Sequence, residues 1–313
     1  MRIIWCCIFI FCVPTHSSIS SEISCVSMVQ RQALAVVPGG RKPRPWEVNN
    51  YIIANYHKAG AFLSDSLTRT ILEILGAPKE VFGHVEYPCY SSGSDSFLHL
   101  CHNMEAPFLV YTDAFNASVE SAERLKSGSK KLLVAGFVRD PLEMVASAYC
   151  YHHAGEELGN QMFPVKEIMQ MGPEEGTQVT ATALLPLAEW MTSVFEDPDD
   201  DTLRLDFEDL TKSSARFDSG VQRLLNHFFG TGTDLISKQE RFLIAEKAKV
   251  YDANRNPETT SVYINSTFPS VEHSSDPVCK KAAHSALHKS LNPALFARYQ
   301  DLQRRLGYAA TQS

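Results

Sequence analysis

The chain has 313 residues, with 29 Lys and Arg against 36 Asp and Glu and a formal net charge of −7. An acidic balance with no broad basic run argues against nucleic acid, and against a heavily sulfated polyanion, as a partner. Of the 8 cysteines, none stands at metal-ligand spacing.

Arg2, an apolar run over residues 3–13 and small or polar residues at 17–21 form the pattern of a secretory signal, with cleavage expected near residues 18–21. The run falls short of the about twenty apolar residues that a spanning helix needs, so a retained signal anchor is the alternative reading. Residues 1–20 are thus expected to be a leader, and residues 21–47, mixing Ser, Gly, Pro and basic side chains, a linker or stem. Residues 48–310 are expected to form one α/β domain, without repeats or a break in composition. No later stretch is apolar enough to cross a bilayer. The implied location is the secretory pathway, as a Golgi lumenal or secreted protein, with membrane attachment only if the leader is kept. Beyond the leader stand Cys25, Cys89, Cys101, Cys150 and Cys279, an odd set in which Cys89 and Cys101 are the nearest pair. Asn116 and Asn265 each begin an Asn-X-Ser/Thr sequon.

Residues 51–56 form a short β-like run that leads into His57, Lys58, Ala59, Gly60 and Ala61. Phe62, Leu67, Ile71 and Leu75 then recur near the helical period, and Gly76 with Pro78 closes the element. A strand, tight loop and helix in that order present backbone N–H groups at a helix N-terminus, where phosphate is stabilised. Residues 107–113 read as the next strand, ending at Asp113. Residues 132–138 are a continuous apolar run, and Asp140 (an N-cap), Pro141 and Glu143 (a capping-box acid) specify the helix that follows. Arg139 sits at this junction and Ser147 about two turns into the helix, so that a phosphate could be held between guanidinium and hydroxyl. The adjacent His152 and His153 point about 100° apart on a helix, make a poor chelate, and are assigned to the cleft rim or surface. The acidic run 196–201 reads as a solvated turn, with calcium as a second choice, before a strand from Thr202. A helix follows over 217–230, and residues 287–308 carry the pattern of one closing amphipathic helix.

Arg139, Asp140, Pro141, Ser147 and Tyr149 resemble the segment by which sulfotransferases bind the 3′-phosphate of 3′-phosphoadenosine 5′-phosphosulfate (PAPS). The loop from Lys58 to Gly60 resembles the family's 5′-phosphosulfate loop, except that Ala61 and Phe62 stand where two hydroxyl residues are usual. Phe207, Glu208, Asp209 and Leu210, with Phe228, Phe229 and Gly230, match further family segments concerned with packing and capping. The resemblance spans residues 48–308. It implies a single domain similar to nucleotide kinases, with a mainly parallel central sheet flanked by helices and ligand at the carboxyl ends of the strands.

The implied activity is transfer of a sulfuryl group from PAPS, with 3′-phosphoadenosine 5′-phosphate (PAP) as product, to a hydroxyl or amine of a glycan or small molecule. Lys58 and the backbone of Ala59, Gly60, Ala61, Phe62 and Leu63 are expected to hold the 5′-phosphosulfate, and Arg139 with Ser147 the 3′-phosphate. The family's base lies near the end of the strand preceding the arginine. Asp113 is the first candidate here, with His99, His102 and Glu86 as others. Because Ala61 and Phe62 remove two donors, a secreted nucleotide-binding pseudoenzyme or interaction protein is the alternative. A P-loop kinase fits less well, since its lysine follows a glycine directly and is itself followed by Ser or Thr, whereas Lys58 precedes Gly60.

Overall fold

The computed structural model describes residues 41–87, 101–256 and 276–308. Most of the leader and stem, His99, Cys89 and the Asn265 sequon lie outside these residues. After a short helix α1 (Pro45–Val48), the chain forms β1 (Asn49–Asn55), α2 (Ala61–Ile74), β2 (Phe82–Glu86), β3 (Cys101–His102) and β4 (Phe108–Thr112). It continues through α3 (Ala117–Ser127), β5 (Lys131–Val138), α4 (Pro141–His153), α5 (Val165–Ile168), α6 (Pro173–Phe195) and β6 (Thr202–Asp206). The last elements are α7 (Phe207–Lys212), α8 (Ser214–Phe229), α9 (Lys238–Ala248), α10 (Pro277–Ser290) and α11 (Pro293–Arg305).

The six strands form one sheet in the order β3-β2-β4-β1-β5-β6, parallel throughout except for β3, which runs antiparallel to β2 at the edge. This is the expected α/β architecture. Central strands buried on both faces read as continuous apolar runs, which is why residues 132–138 were legible as a strand. Alternation decides which side chain serves which layer. Tyr51, Ile53, Leu133, Ala135 and Phe137 pack with α2, α8 and α9, while Ile52, Ala54, Leu132, Val134 and Val138 pack with α4, α6, α10 and α11. Gly136 is required where α6 crosses β5, because a Cβ there would sit 2.0 Å from Cζ of Phe195.

The chain leaves β1 for one face of the sheet and neighbouring β5 for the other. A crevice therefore opens between the carboxyl ends of β1 and β5, the place where parallel α/β sheets hold ligands. Helix α2 begins at Gly60, whose φ of 98° puts it in the left-handed region, and no side chain caps it. It ends in a Schellman motif at Gly76, with Ala77 N donating to Leu72 O at 2.9 Å and Gly76 N to Glu73 O at 3.0 Å.

Two sequence expectations are corrected, and one disulfide pairing that the sequence left open is found. Asp140 caps α4 by accepting from Leu142 N at 2.8 Å, but Glu143 completes no capping box; it faces His284 at 3.0 Å and Arg139 at 3.8 Å. The closing segment is two helices, because Leu291 is extended and Asn292 caps a new helix at Pro293. A disulfide joins Cys150 on α4 to Cys279 on α10. Cys101 is disulfide-bonded as well, and its nearest sequence partner, Cys89, lies outside the described residues. No helix among the described residues is long and apolar enough to cross a membrane.

Candidate functional site

A cavity of about 550 Å³ occupies the crevice. Its wall includes His57, Lys58, Gly60, Ala61, Phe62 and Leu63 after β1, Glu86 after β2, Asp113 after β4 and Arg139 after β5. Ser147 reaches it from α4 and Phe207 from α7. The two segments that the sequence set far apart thus meet at one site, and a direct bond joins them: Arg139 Nη1 donates to the Lys58 carbonyl at 2.7 Å, across 81 residues of sequence. Ala59 contributes backbone alone, its side chain being fully buried in the core.

Arg139 is held on several sides. Its guanidinium lies 5.0 Å from the Phe207 ring centre, 3.6 Å from a Glu208 carboxylate oxygen and 3.8 Å from Glu143. Its Nε is buried with no hydrogen-bond partner among the described residues. Burial lowers its pKa from the ordinary arginine value while Glu208 and Glu143 oppose the shift, and a guanidinium keeps its proton regardless. Phe207 and Glu208, expected to serve only packing and capping, are therefore the floor and a counter-charge of the arginine. Tyr149 is structural: it is 1% exposed, and its ring fills the space that a Cβ on Gly176 would need.

Lys58 carries a φ of 65°, Asp113 of 56° and Glu157 of 56°. Three non-glycine residues on this wall thus hold a costly left-handed backbone, a pattern that clusters at ligand sites. Lys58 Nζ lies 2.7 Å from the Tyr151 ring centre. Burial lowers its ammonium to about 7, Glu157 working the other way and Arg139 adding to the fall. Burial raises Asp113 to about 8, held back by the His57 backbone N–H, which donates to its Oδ1 at 2.5 Å. Glu86 is likewise raised by burial, with Glu157 adding to the rise.

Among the candidate bases, Asp113 and Glu86 line the cavity. His102 does not: it is exposed on the edge strand β3, opposite His84. His99 lies outside the described residues. His152 corrects the sequence reading more sharply, for it is fully buried beside His57, their Nε2 atoms 3.1 Å apart, while His153 is exposed. Burial lowers His152 to about 4, and Lys58 adds to the fall. The turn after α9 supplies the cavity's far end through Val250, Tyr251, Asp252, Ala253 and Asn256. Sequence reasoning missed this turn and Tyr151 with Glu157, because residues brought in by tertiary packing carry no local signal.

Together these features define a mainly parallel α/β protein with a cavity whose wall carries a lysine, a buried arginine and a helix N-terminus that no side chain caps. No family model and no curated protein matches the chain. Among solved structures, the chain is similar to mouse sulfotransferase SULT7A1 complexed with PAP, at 13% sequence identity and a TM-score of 0.40, over 85% of this chain and 88% of that chain. A likeness at that level carries no functional argument.

Proposed function

We propose that the protein is a PAPS-dependent sulfotransferase that acts on a hydroxyl or amine of a glycan or small molecule in the secretory pathway. The observation that carries this reading is the joining of Lys58, the uncapped N-terminus of α2, Arg139 and Ser147 around one cavity. The Nε of Arg139 supports it further: it makes no hydrogen bond among the described residues and only a long 3.6 Å ion pair with Glu208, and a phosphate oxygen would supply the missing acceptor.

PAPS would supply the activated sulfuryl group. The first-turn N–H groups of α2, at Ala61, Phe62 and Leu63, face an anion with the positive end of the helix behind them. Lys58 adds a charge able to stabilise the oxygen that leaves. Arg139 and Ser147 hold the second phosphate, with Phe207 fixing the plane of the guanidinium. Asp113, which follows β4 and lines the same cavity, would take the acceptor proton.

One observation favours the pseudoenzyme reading. The hydroxyl nearest the missing pair, on Ser64, is fully buried and already engaged with the Asn55 side chain and, at 2.8 Å, with the Ala61 carbonyl. It does not replace the donors absent at Ala61 and Phe62, so the reading requires backbone amides to hold the phosphosulfate. Calorimetric titration of PAP in chelator-treated buffer, with Lys58→Ala and Arg139→Ala variants, tests nucleotide binding. Micromolar binding weakened at least about tenfold in each variant is expected, one charge-assisted bond being worth about 1.5–3 kcal/mol. No binding by folded wild type overturns the reading. A PAPS assay against a mixed acceptor panel then separates transferase from pseudoenzyme.

A further inference from the structure

We propose that His57, His152 and Glu157 form a binding site for a divalent transition-metal cation of the zinc class. One ligand atom from each of the three lies within 4.8 Å of the other two. The His57 and His152 rings are parallel to within 2°, with centroids 5.1 Å and Nε2 atoms 3.1 Å apart. Two imidazole nitrogens on one tetrahedral zinc, each about 2.0–2.1 Å from the ion, stand about 3.3–3.4 Å apart. The observed separation is within a few tenths of an ångström of that spacing. In the metal-free protein a proton shared between the two nitrogens holds the same place.

The surroundings orient these side chains as ligands. His152 Nδ1 lies 3.2 Å from the Glu156 carbonyl, which fixes the proton on Nδ1 and leaves the Nε2 lone pair toward His57. A ring nitrogen anchored on a backbone carbonyl is the usual support of a metal-bound histidine. The His57 backbone is pinned through its N–H to Asp113. Glu157 is steadied by the Tyr151 hydroxyl at 3.3 Å and by Asn160 Nδ2 at 2.9 Å, one on each carboxylate oxygen. Two imidazoles and one carboxylate suit zinc, cobalt, nickel or copper in place of magnesium or calcium, whose preference is for oxygen. Three protein ligands leave a fourth position open, as catalytic zinc sites do, and His57 and Glu157 both line the cavity. Lys58 is the opposing charge on this wall, while Asp113 and Glu86 set carboxylates against it. The site stands apart from the sulfuryl-transfer reading, because none of its three residues is asked to hold the nucleotide.

Cobalt(II) is the probe, because its visible absorption is strong in tetrahedral sites. Titrating the chelator-stripped, desalted full chain should give a tetrahedral spectrum that saturates at one equivalent and is displaced by Zn²⁺. Affinity should fall at least about tenfold in His152→Ala and in Glu157→Gln. Glu157 is exposed, so Glu157→Gln decides the matter should the buried His152 position not tolerate alanine. A folded wild type with no tetrahedral spectrum overturns the proposal, as does a spectrum that survives substitution at Glu157. PAP calorimetry in the chelated buffer reads the nucleotide site separately, so failure of one proposal is distinguishable from failure of the other.

Discussion

Substituting Gly60 by alanine strikes the candidate phosphate loop through two separable effects. The first is backbone: at φ 98° an alanine pays the left-handed penalty of about 1–2 kcal/mol. The second is contact, because the new Cβ would lie 2.7 Å from Cδ2 of Phe207, and that ring must move. Overpacking of this kind costs about 1–3 kcal/mol. The displaced ring also carries Arg139, so its movement disturbs the guanidinium at 5.0 Å. Gly76→Ala is the control, since Gly76 has a φ of 61° and open space where a Cβ would go. Urea unfolding with linear extrapolation should give about 1–2 kcal/mol for Gly76→Ala and about 2–5 kcal/mol for Gly60→Ala. Gly60→Ala should also weaken PAP binding, whereas Gly76→Ala, at the far end of α2, should leave it unchanged. Equal destabilisation by the two substitutions would refute the claim that Phe207 is packed onto the loop.

Removing the Cys150–Cys279 bridge with a double serine variant should lower stability by about 2–5 kcal/mol, because the bridge spans a sequence separation of 129 residues. Reductant should erase the difference between wild type and variant, since both then lose the second bridge at Cys101, and a difference that persists in reductant would contradict the pairing. Breaking the Glu143–His284 contact with His284→Ala should cost under about 1 kcal/mol near neutral pH, both side chains being about one-third exposed. His284 is the main cause lowering the Glu143 pKa. The contribution is therefore present above the unfolded-state pKa and lost as pH falls through the folded one. A cost that persists unchanged in acid denies that linkage.

The sheet was legible because its central strands are apolar without interruption and its helices begin at Asp140 with Pro141 or after Gly60. The two ends of the candidate cavity were legible for the same reason: loop and helix start are specified together. What stayed hidden depends on which side chains the tertiary fold brings into contact. His152 looked peripheral because neighbouring histidines on a helix diverge, yet that divergence sends one ring inward to His57 and the other out to solvent. Glu143 has the spacing of a capping-box acid, but a histidine on α10 and the arginine at the strand end compete for it. The closing segment kept its amphipathic pattern through residue 308, and only Asn292 before Pro293 marked the break into two helices.

The helices beyond residue 276 brace the arginine-bearing junction: Gln303 Nε2 donates to both carboxylate oxygens of Asp140 at 2.7 and 2.8 Å, and the Tyr308 hydroxyl donates to Glu208 at 3.0 Å. Cys150 and Cys279 lie on opposite sides of residues 257–275, so a backbone break anywhere in that interval leaves both pieces in one covalent molecule. A protease-nicked protein would then migrate intact on a non-reducing gel and separate on a reducing one. Proteolysis there would cut the polypeptide without releasing the brace, and reduction after cutting would be the step that frees it.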